Sequence, residues 1–428
     1  MEGITVHLSG VLQVAGDKSI THRAIILSSL ATGRTVIHQP LLGADCLSTL
    51  QIFSQLGVNY ELQEQALIIE SPGFKSFTLN ETVLDAGNSG TTARLLMGVF
   101  AGLKGHLTLT GDESLSKRPM KRVTLPLEQM GACIQLSESG TLPAKVNGAN
   151  LQAIDYTLPV ASAQVKSAIM LAGLFAKGTT VIHEPIPTRD HTEKMFEDFQ
   201  IAYNKKNRII SLTGPQTPTT PGEVFVPADI SSAAFFIVAA LMIKDSDILL
   251  KNVGINDTRA GIIEVVKEMG GKITLLNKRY FGKELVADLR VEYTKNLKST
   301  VIAGELIPRL IDEIPIIALL ATKASGKTII KDAQELKVKE TNRIDVTVRE
   351  LKALGAVIES TEDGMVIQGH SNQTYLVAPV SSHGDHRIAM MLCVASLLTE
   401  QFLEIEELDS MKISYPEFLV HLQSLIKK

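Results

Sequence analysis

Three cysteines in 428 residues, Cys46, Cys133 and Cys393, stand far apart with no paired spacing. That argues against a disulfide framework or a zinc site and suits a reducing compartment. Long apolar runs are missing too. The run from Ala233 to Ile243 is too short to span a bilayer, and Met1 to Gly10 lacks the basic and apolar regions of a signal peptide. Nor is there an excess of positive charge: 42 Lys plus Arg face 46 Asp plus Glu, a net −4. No global field draws in a polyanion such as DNA, and any anion must be bound locally. These absences point to a cytoplasmic protein without membrane or nucleic-acid partners. What is present is core: 45% of the residues are apolar, enough for two or three folded domains.

The chain repeats itself. An apolar helical stretch, a small turn and a β-rich strand recur at Ala31-Thr32-Gly33-Arg34-Thr35-Val36-Ile37, at Ala176-Lys177-Gly178-Thr179-Thr180-Val181-Ile182 and at Ala324-Ser325-Gly326-Lys327-Thr328-Ile329-Ile330. Weaker copies pass through Gly105, Asp245 and Glu400, so the turns are 72, 73, 67, 81 and 74 residues apart. A second, amphipathic helix runs into Gly and a strand at Gly57, Gly131, Gly270 and Gly355, where Gly ends the helix because it takes positive φ cheaply. Phe199-Gln200 holds the matching place in the third copy without a glycine.

Two helices and short strands per copy predict an α/β fold of two lobes, each an inside-out barrel of three repeated units with apolar helices inside and sheets around them. An ordinary doubly wound α/β protein is the alternative. The Pro- and Thr-rich stretch Pro215 to Pro221 marks a seam, which puts one lobe at residues 15–226 and the other at residues 1–14 plus 227–428.

The apolar helices open with polar residues: Lys18-Ser19, Asn88-Ser89-Gly90-Thr91, Ser162-Ala163-Gln164, Asp229-Ile230-Ser231-Ser232 and Asp385-His386-Arg387. Any one of these is explained by ordinary capping. Their company is not. Lys18, Arg23, Arg94, Lys166 and Arg387 put positive charge at or near helix starts, where the helix dipole favours acids, so a bound phosphate or carboxylate is expected there. Gly16-Asp17-Lys18-Ser19 and Gly326-Lys327-Thr328 are similar to the end of a phosphate-binding loop, but Leu12 and Ala321 stand where its first glycine belongs. The loop Gly111 to Arg122 is dense in cations and stiffened by Pro119. Either a solvated basic loop or one that closes on substrate has this composition. Asp312 and Glu313 open a further apolar helix, and Lys339 and Arg343 fall at i and i+4 on one helix face, a spacing of like charges that is mildly unfavourable without an anion.

Taken in order, Gly16-Asp17-Lys18-Ser19-Ile20-Thr21-His22-Arg23-Ala24, Gly87-Asn88-Ser89-Gly90-Thr91-Thr92-Ala93-Arg94, Lys117-Arg118-Pro119-Met120, Lys339-Glu340-Thr341-Asn342-Arg343 and Asp385-His386-Arg387 resemble the 5-enolpyruvylshikimate-3-phosphate synthase family. The motifs span residues 16 to 387, and the family's fold of two lobes with three repeats each agrees with the period. The resemblance implies transfer of the enolpyruvyl group of phosphoenolpyruvate to the 5-hydroxyl of shikimate 3-phosphate, with release of phosphate. It implies no metal or organic cofactor, and a monomer is expected. By motif position, Lys18, Ser19, Arg23, Ser162, Ala163, Gln164, Arg189, Asp312 and Lys339 are expected to hold shikimate 3-phosphate. Lys18, Asn88, Gly90, Arg118, Gln164, Arg343, Arg387 and Lys412 are expected to hold phosphoenolpyruvate. Asp312, Glu340 and Lys18 are the expected catalytic groups. Ala15 replaces a usual proline, Ala163 replaces a frequent second serine, and the proline after Lys412 is one residue further on than in the family.

Two other readings have distinguishable signatures. A related enolpyruvyl transferase acting on UDP-N-acetylglucosamine carries a reactive cysteine in the loop matching Glu113 to Met120, and here that loop has none. A non-catalytic anion-binding protein would need Asp312 and Glu340 only as caps.

Overall fold

The computed structural model describes residues 6–427. The chain forms two compact units: one takes in Gly16–Val226 with Phe281–Glu284, the other the residues before Gly16, Pro227–Tyr280 and those from Leu285 onward. Among the described residues there are thirteen α-helices. In the first unit they are Lys18–Leu30 (α1), Ala44–Gln55 (α2), Gly90–Ala101 (α3), Lys121–Gln129 (α4), Ala163–Gly173 (α5) and His191–Asp198 (α6). In the second they are Ile230–Met242 (α7), Gly261–Glu268 (α8), Ile307–Leu310 (α9), Ile314–Thr322 (α10), Arg343–Ala353 (α11), His386–Ser396 (α12) and Phe418–Leu425 (α13).

The two kinds of helix differ in what they bury. Every residue of α7 and of α10 is buried, as a helix apolar on all sides must be. In α8 the buried residues fall on one face, Ile262, Ile263, Val265 and Val266 among them. In the first unit α3 packs on both α1 and α5, and three four-stranded sheets of one topology lie over these helices. In each, a leading strand runs parallel to the strand after the apolar helix, and a hairpin adds two antiparallel strands. Leu79–Asp85, Gly105–Thr110, Ala144–Asn147 and Cys133–Gln135 make the clearest example. Val301–Ile302, Gly326–Ile330, Met365–Gly369 and Val357–Ser360 repeat it in the second unit. The last repeat keeps only Val380–Ser381 beside Ile405–Glu406, and its chain ends as Ile426–Lys427 on the five-stranded sheet.

The leading strands explain why the chain crosses between units. His7–Leu12 precedes α1 in sequence but pairs with Asp247–Gly254, after α7. Glu223–Phe225 precedes α7 but pairs with Thr32–His38, after α1. Each completes a sheet begun elsewhere in the sequence.

The turn positions behave as their residue types require. Gly33, Gly105, Gly178 and Gly326 take φ of 117°, 109°, 104° and 109°, while Asp245 takes 61°. At the amphipathic-helix ends Gly57, Gly131, Gly270 and Gly355 have φ between 78° and 97°, and Gln200 is forced to 57°. Among the described residues no helix is long and apolar enough to cross a membrane.

Candidate active site

In the first unit the starts of α1, α3 and α5 each carry a cap. Asp17 accepts from Ile20 N, Ser89 from Thr92 N and Ser162 from Val165 N, which satisfies an amide that the helix itself leaves open. Lys18, first residue of α1, reaches Asp45 at 3.0 Å. Asp45 opens α2, so it offsets the cost of a cation at a helix start. Behind Lys18 a line of hydroxyls ties three helices together: His22 Nδ1 to Thr49 at 2.8 Å, Thr49 to Thr92 at 2.7 Å, and Thr92 to Ser89 at 2.7 Å. Burial drives the His22 pKa down to about 3, against the pull of Asp45, so the ring is neutral.

Gly90 lies against two guanidinium groups. A Cβ there would stand 2.9 Å from Arg94 Nη1 and 3.4 Å from Arg118 Nη1. Arg94 donates to Gln164 Oε1 at 2.9 Å and Gln164 Nε2 donates to Thr91 at 3.1 Å, which fixes the orientation of the amide. Arg118 donates to Asn88 Oδ1 and to Ser114, both at 3.2 Å, and Asn88 donates to Asp112 at 2.8 Å. Asn88, Gly90, Arg118 and Gln164 are thus drawn together. Lys117 in the same loop is exposed and paired with Glu113 at 2.7 Å. Ala163, half-buried beside Ser162, offers no side-chain donor, and Arg189 is half-buried just before α6.

Lys166 is not a ligand-facing cation. It is fully buried, with Nζ 3.0 Å from Glu184 and 2.7 Å from Glu193. Two carboxylates satisfy its charge inside the unit, and it ties α5 to α6 instead of offering charge at the helix start. Arg23 is also buried, at 4% exposure, and donates to Thr192 at 2.7 Å, to Ser167 at 2.6 Å and to the Ser19 carbonyl at 2.9 Å.

The second unit gathers carboxylates around Arg343, first residue of α11. Its Nε and Nη2 donate to Asp385 at 2.8 and 3.3 Å, Nη1 to Asp312 at 3.2 Å and Nη2 to Glu340 at 2.6 Å. Burial by itself lowers the Arg343 pKa, but Asp385, Glu340 and Asp312 overcome it and raise the pKa above the usual value. Asp385 also caps α12 by accepting from Arg387 N at 2.8 Å.

The expected i, i+4 pair is corrected here. Lys339 precedes α11 in extended backbone, so it shares no helix face with Arg343. The two cations meet through Asp312 instead, with Lys339 Nζ 3.5 Å and Arg343 Nη1 3.2 Å from the same Oδ1. The carboxylate removes the repulsion that an anionic ligand was expected to relieve.

Arg387 is 4% exposed. Its Nε is buried with no hydrogen-bond partner among the described residues, and the guanidinium carbon lies 6.0 Å from the centre of the Phe235 ring. Lys412 is 67% exposed and paired with Asp409 at 2.6 Å. Glu313 is buried with Arg259 at 3.0 Å, and Arg259 also reaches Asp229, the cap of α7, at 3.3 Å. That group braces the chain at Glu313, the residue directly after Asp312.

Asp45, Thr49, Ser167 and Thr192 escaped the sequence reading. Each reads locally as a helix residue, and only its packing partner gives it a role. Cys46 and Cys393 are buried and Cys133 is exposed. Among the described residues no three His, Cys, Asp or Glu side chains are grouped to hold a metal ion.

Among solved structures, the fold is shared with an enolpyruvyl transferase. NikO of Streptomyces tendae matches with a TM-score of 0.77 over 98% of this chain and 96% of that one, at 16% identity, a likeness of fold alone. The EPSP synthase of Acinetobacter baumannii matches with a TM-score of 0.88 and 39% identity, covering 99% of this chain and 98% of that one. The sequence model described as EPSP synthase (3-phosphoshikimate 1-carboxyvinyltransferase) matches residues 3–422. The 3-phosphoshikimate 1-carboxyvinyltransferase of Bacillus subtilis (strain 168) is 51% identical over 423 residues, 98% of each chain. That of Geobacillus kaustophilus (strain HTA426) is 52% identical over 420 residues, again 98% of each. The chain belongs to the EPSP synthase family.

Proposed function

We infer that this enzyme transfers the enolpyruvyl group of phosphoenolpyruvate to the 5-hydroxyl of shikimate 3-phosphate and releases phosphate, in the route to chorismate and the aromatic amino acids. The observation that carries the chemical part is the Arg343 cluster, where two partly exposed carboxylates, Asp312 and Glu340, are aligned on one guanidinium.

The 5-hydroxyl oxygen bonds to C2 of phosphoenolpyruvate while a base takes its proton and an acid protonates the methylene carbon, giving a tetrahedral phosphate. A proton then leaves the new methyl group, the double bond returns and the C–O bond to phosphate breaks. Asp312 and Glu340 are assigned these proton transfers, and Lys18 the charge developing on the departing phosphate. Ser19, Arg23, Ser162, Ala163, Gln164, Arg189 and Lys339, with Lys18 and Asp312, are assigned to shikimate 3-phosphate. Asn88, Gly90, Arg118, Gln164, Arg343, Arg387 and Lys412, with Lys18, are assigned to phosphoenolpyruvate. Planar guanidinium forks suit its carboxylate and phosphate, and the buried, unpartnered Nε of Arg387 supports that assignment. Four of Arg343's N–H groups already face Asp385, Asp312 and Glu340, out of about five in all. Phosphoenolpyruvate therefore meets the one that remains, or displaces a carboxylate.

The free cysteines support a cytoplasmic location, and we propose a monomer, which light scattering behind size exclusion checks. Cys133 lies on a strand, and burial pushes the Cys393 thiol up to about 12, so neither supports the nucleotide-sugar reaction. Phosphate release on mixing the protein with phosphoenolpyruvate and each acceptor in turn tests the reading. Release with shikimate 3-phosphate is expected. Release with UDP-N-acetylglucosamine alone, or with neither, overturns it.

A further inference from the structure

The three acceptors around Arg23 are all neutral: the hydroxyls of Thr192 and Ser167 and the Ser19 carbonyl. Among the described residues no carboxylate comes within 4.0 Å of the guanidinium. Glu193, Asp17 and Glu284 act on it only through space, and Arg189 opposes them. A buried cation is costly without an anion, and this one retains its charge at neutral pH, with a pKa that burial brings down only to about 10.

Geometry decides which edge of the fork is left. Nε–H and one Nη2–H form the side edge, and the two hydroxyls that fill it are 2.7 Å from each other. The helix's own Ser19 carbonyl takes one Nη1–H. Of the roughly five donors of a guanidinium, one N–H on each terminal nitrogen remains for the oxygens of a carboxylate or phosphate, the one on Nη2 pointing to the end of the fork.

The hydroxyl pair is rigidly backed. Ser167 of α5 follows Lys166, and Thr192 of α6 precedes Glu193. The Lys166–Glu193 ion pair, 2.7 Å and fully buried, runs beside the Ser167–Thr192 contact and holds the two helices at one spacing.

We propose that Ser167 and Thr192 are positioning residues for Arg23, turning its fork so that the end edge meets an oxyanion of shikimate 3-phosphate. Being neutral, they form no ion pair with Arg23 that a ligand would have to displace. The inference rests on the assignment of Arg23 to that substrate.

Thr192→Val keeps the shape and removes the hydroxyl, Thr192→Ser keeps the hydroxyl, and Ser167→Ala removes the other acceptor. In Thr192→Val and Ser167→Ala, KM for shikimate 3-phosphate and its Kd by calorimetry are expected to rise about tenfold, the usual size of an effect exerted through a supporting shell. The kcat and the KM for phosphoenolpyruvate are expected to change less than about twofold, and Thr192→Ser to restore binding. Unchanged affinity in Thr192→Val and Ser167→Ala overturns the proposal. So does a Thr192→Ser protein as weak as Thr192→Val, or a loss of kcat, both KM values and unfolding midpoint together. If the unmodified protein releases no phosphate from shikimate 3-phosphate and phosphoenolpyruvate, the functional reading falls and this inference with it. An active protein with unaffected variants overturns this inference alone.

Discussion

Arg343 lies among three carboxylates, whereas Arg23 is held by three neutral oxygens. Arg343 is thus a scaffold for the acids around it, and the acids are where chemistry is expected. Asp312→Asn and Glu340→Gln keep the hydrogen-bonding shape and remove the proton carrier. Each is expected to lower kcat at least about 100-fold with circular dichroism unchanged, and near-normal turnover in both sinks the catalytic assignment. At this scale the sequence was only partly legible. The identities of Asp312, Glu340 and Arg343 stood out, but how they pair did not: Lys339 and Arg343 looked like neighbours on a helix and are neighbours of Asp312 instead. Long side chains choose partners by where their backbones are brought, and spacing describes only partners within one element.

The helix ends show what an element demands of one position. Gly57, Gly131, Gly270 and Gly355 end their helices at positive φ, and Gln200 does the same at 57°. An L-residue there is strained by about 1–2 kcal/mol, partly offset by the larger entropy that glycine loses on folding. Gln200→Gly is therefore expected to raise stability by about 0.5–1 kcal/mol, read as a higher urea midpoint at unchanged slope. A lower midpoint contradicts this account of the turn. These stops were visible in the sequence because one residue type meets one backbone need. The basic helix starts were less uniform. Lys18 lies at the surface of α1 beside Asp45, but Lys166, equally basic on paper, is folded inward onto Glu184 and Glu193. Lys18 directly follows its cap Asp17, whereas Lys166 comes four residues after its cap Ser162, a turn further along a helix whose residues from Val165 on are buried.

Stability of the whole molecule against acid joins two groups of opposite sign. Burial disfavours the charge of His22 and brings its folded pKa down to about 3, against an ordinary value of 6.5. Below about 6.5 the unfolded chain therefore takes up a proton that the folded one refuses, and stability falls by about 1.4 kcal/mol per pH unit down to about 3. Burial also raises the Asp198 carboxyl from 3.8 to about 6. The folded state holds that proton where the unfolded one has lost it, so between about 4 and 6 Asp198 makes stability rise as pH falls. Urea midpoints between pH 6 and 4 are expected to fall less steeply in His22→Gln and more steeply in Asp198→Asn. Parallel curves for all three proteins contradict both assignments. The sequence by itself determined the repeat, its turn glycines, the apolar helices and the chemical character of the site, because each rests on residue type at a fixed spacing. Tertiary structure decided the strand exchange that sends His7–Leu12 and Glu223–Phe225 into sheets distant in sequence. It also decided which cations are inside and which carboxylates face them. The partners are 27 residues apart in the Lys166–Glu193 pair and 144 apart in the Arg23–Ser167 bond, and further still where Ser9 pairs with Asp247, and no local pattern encodes a partner at that distance.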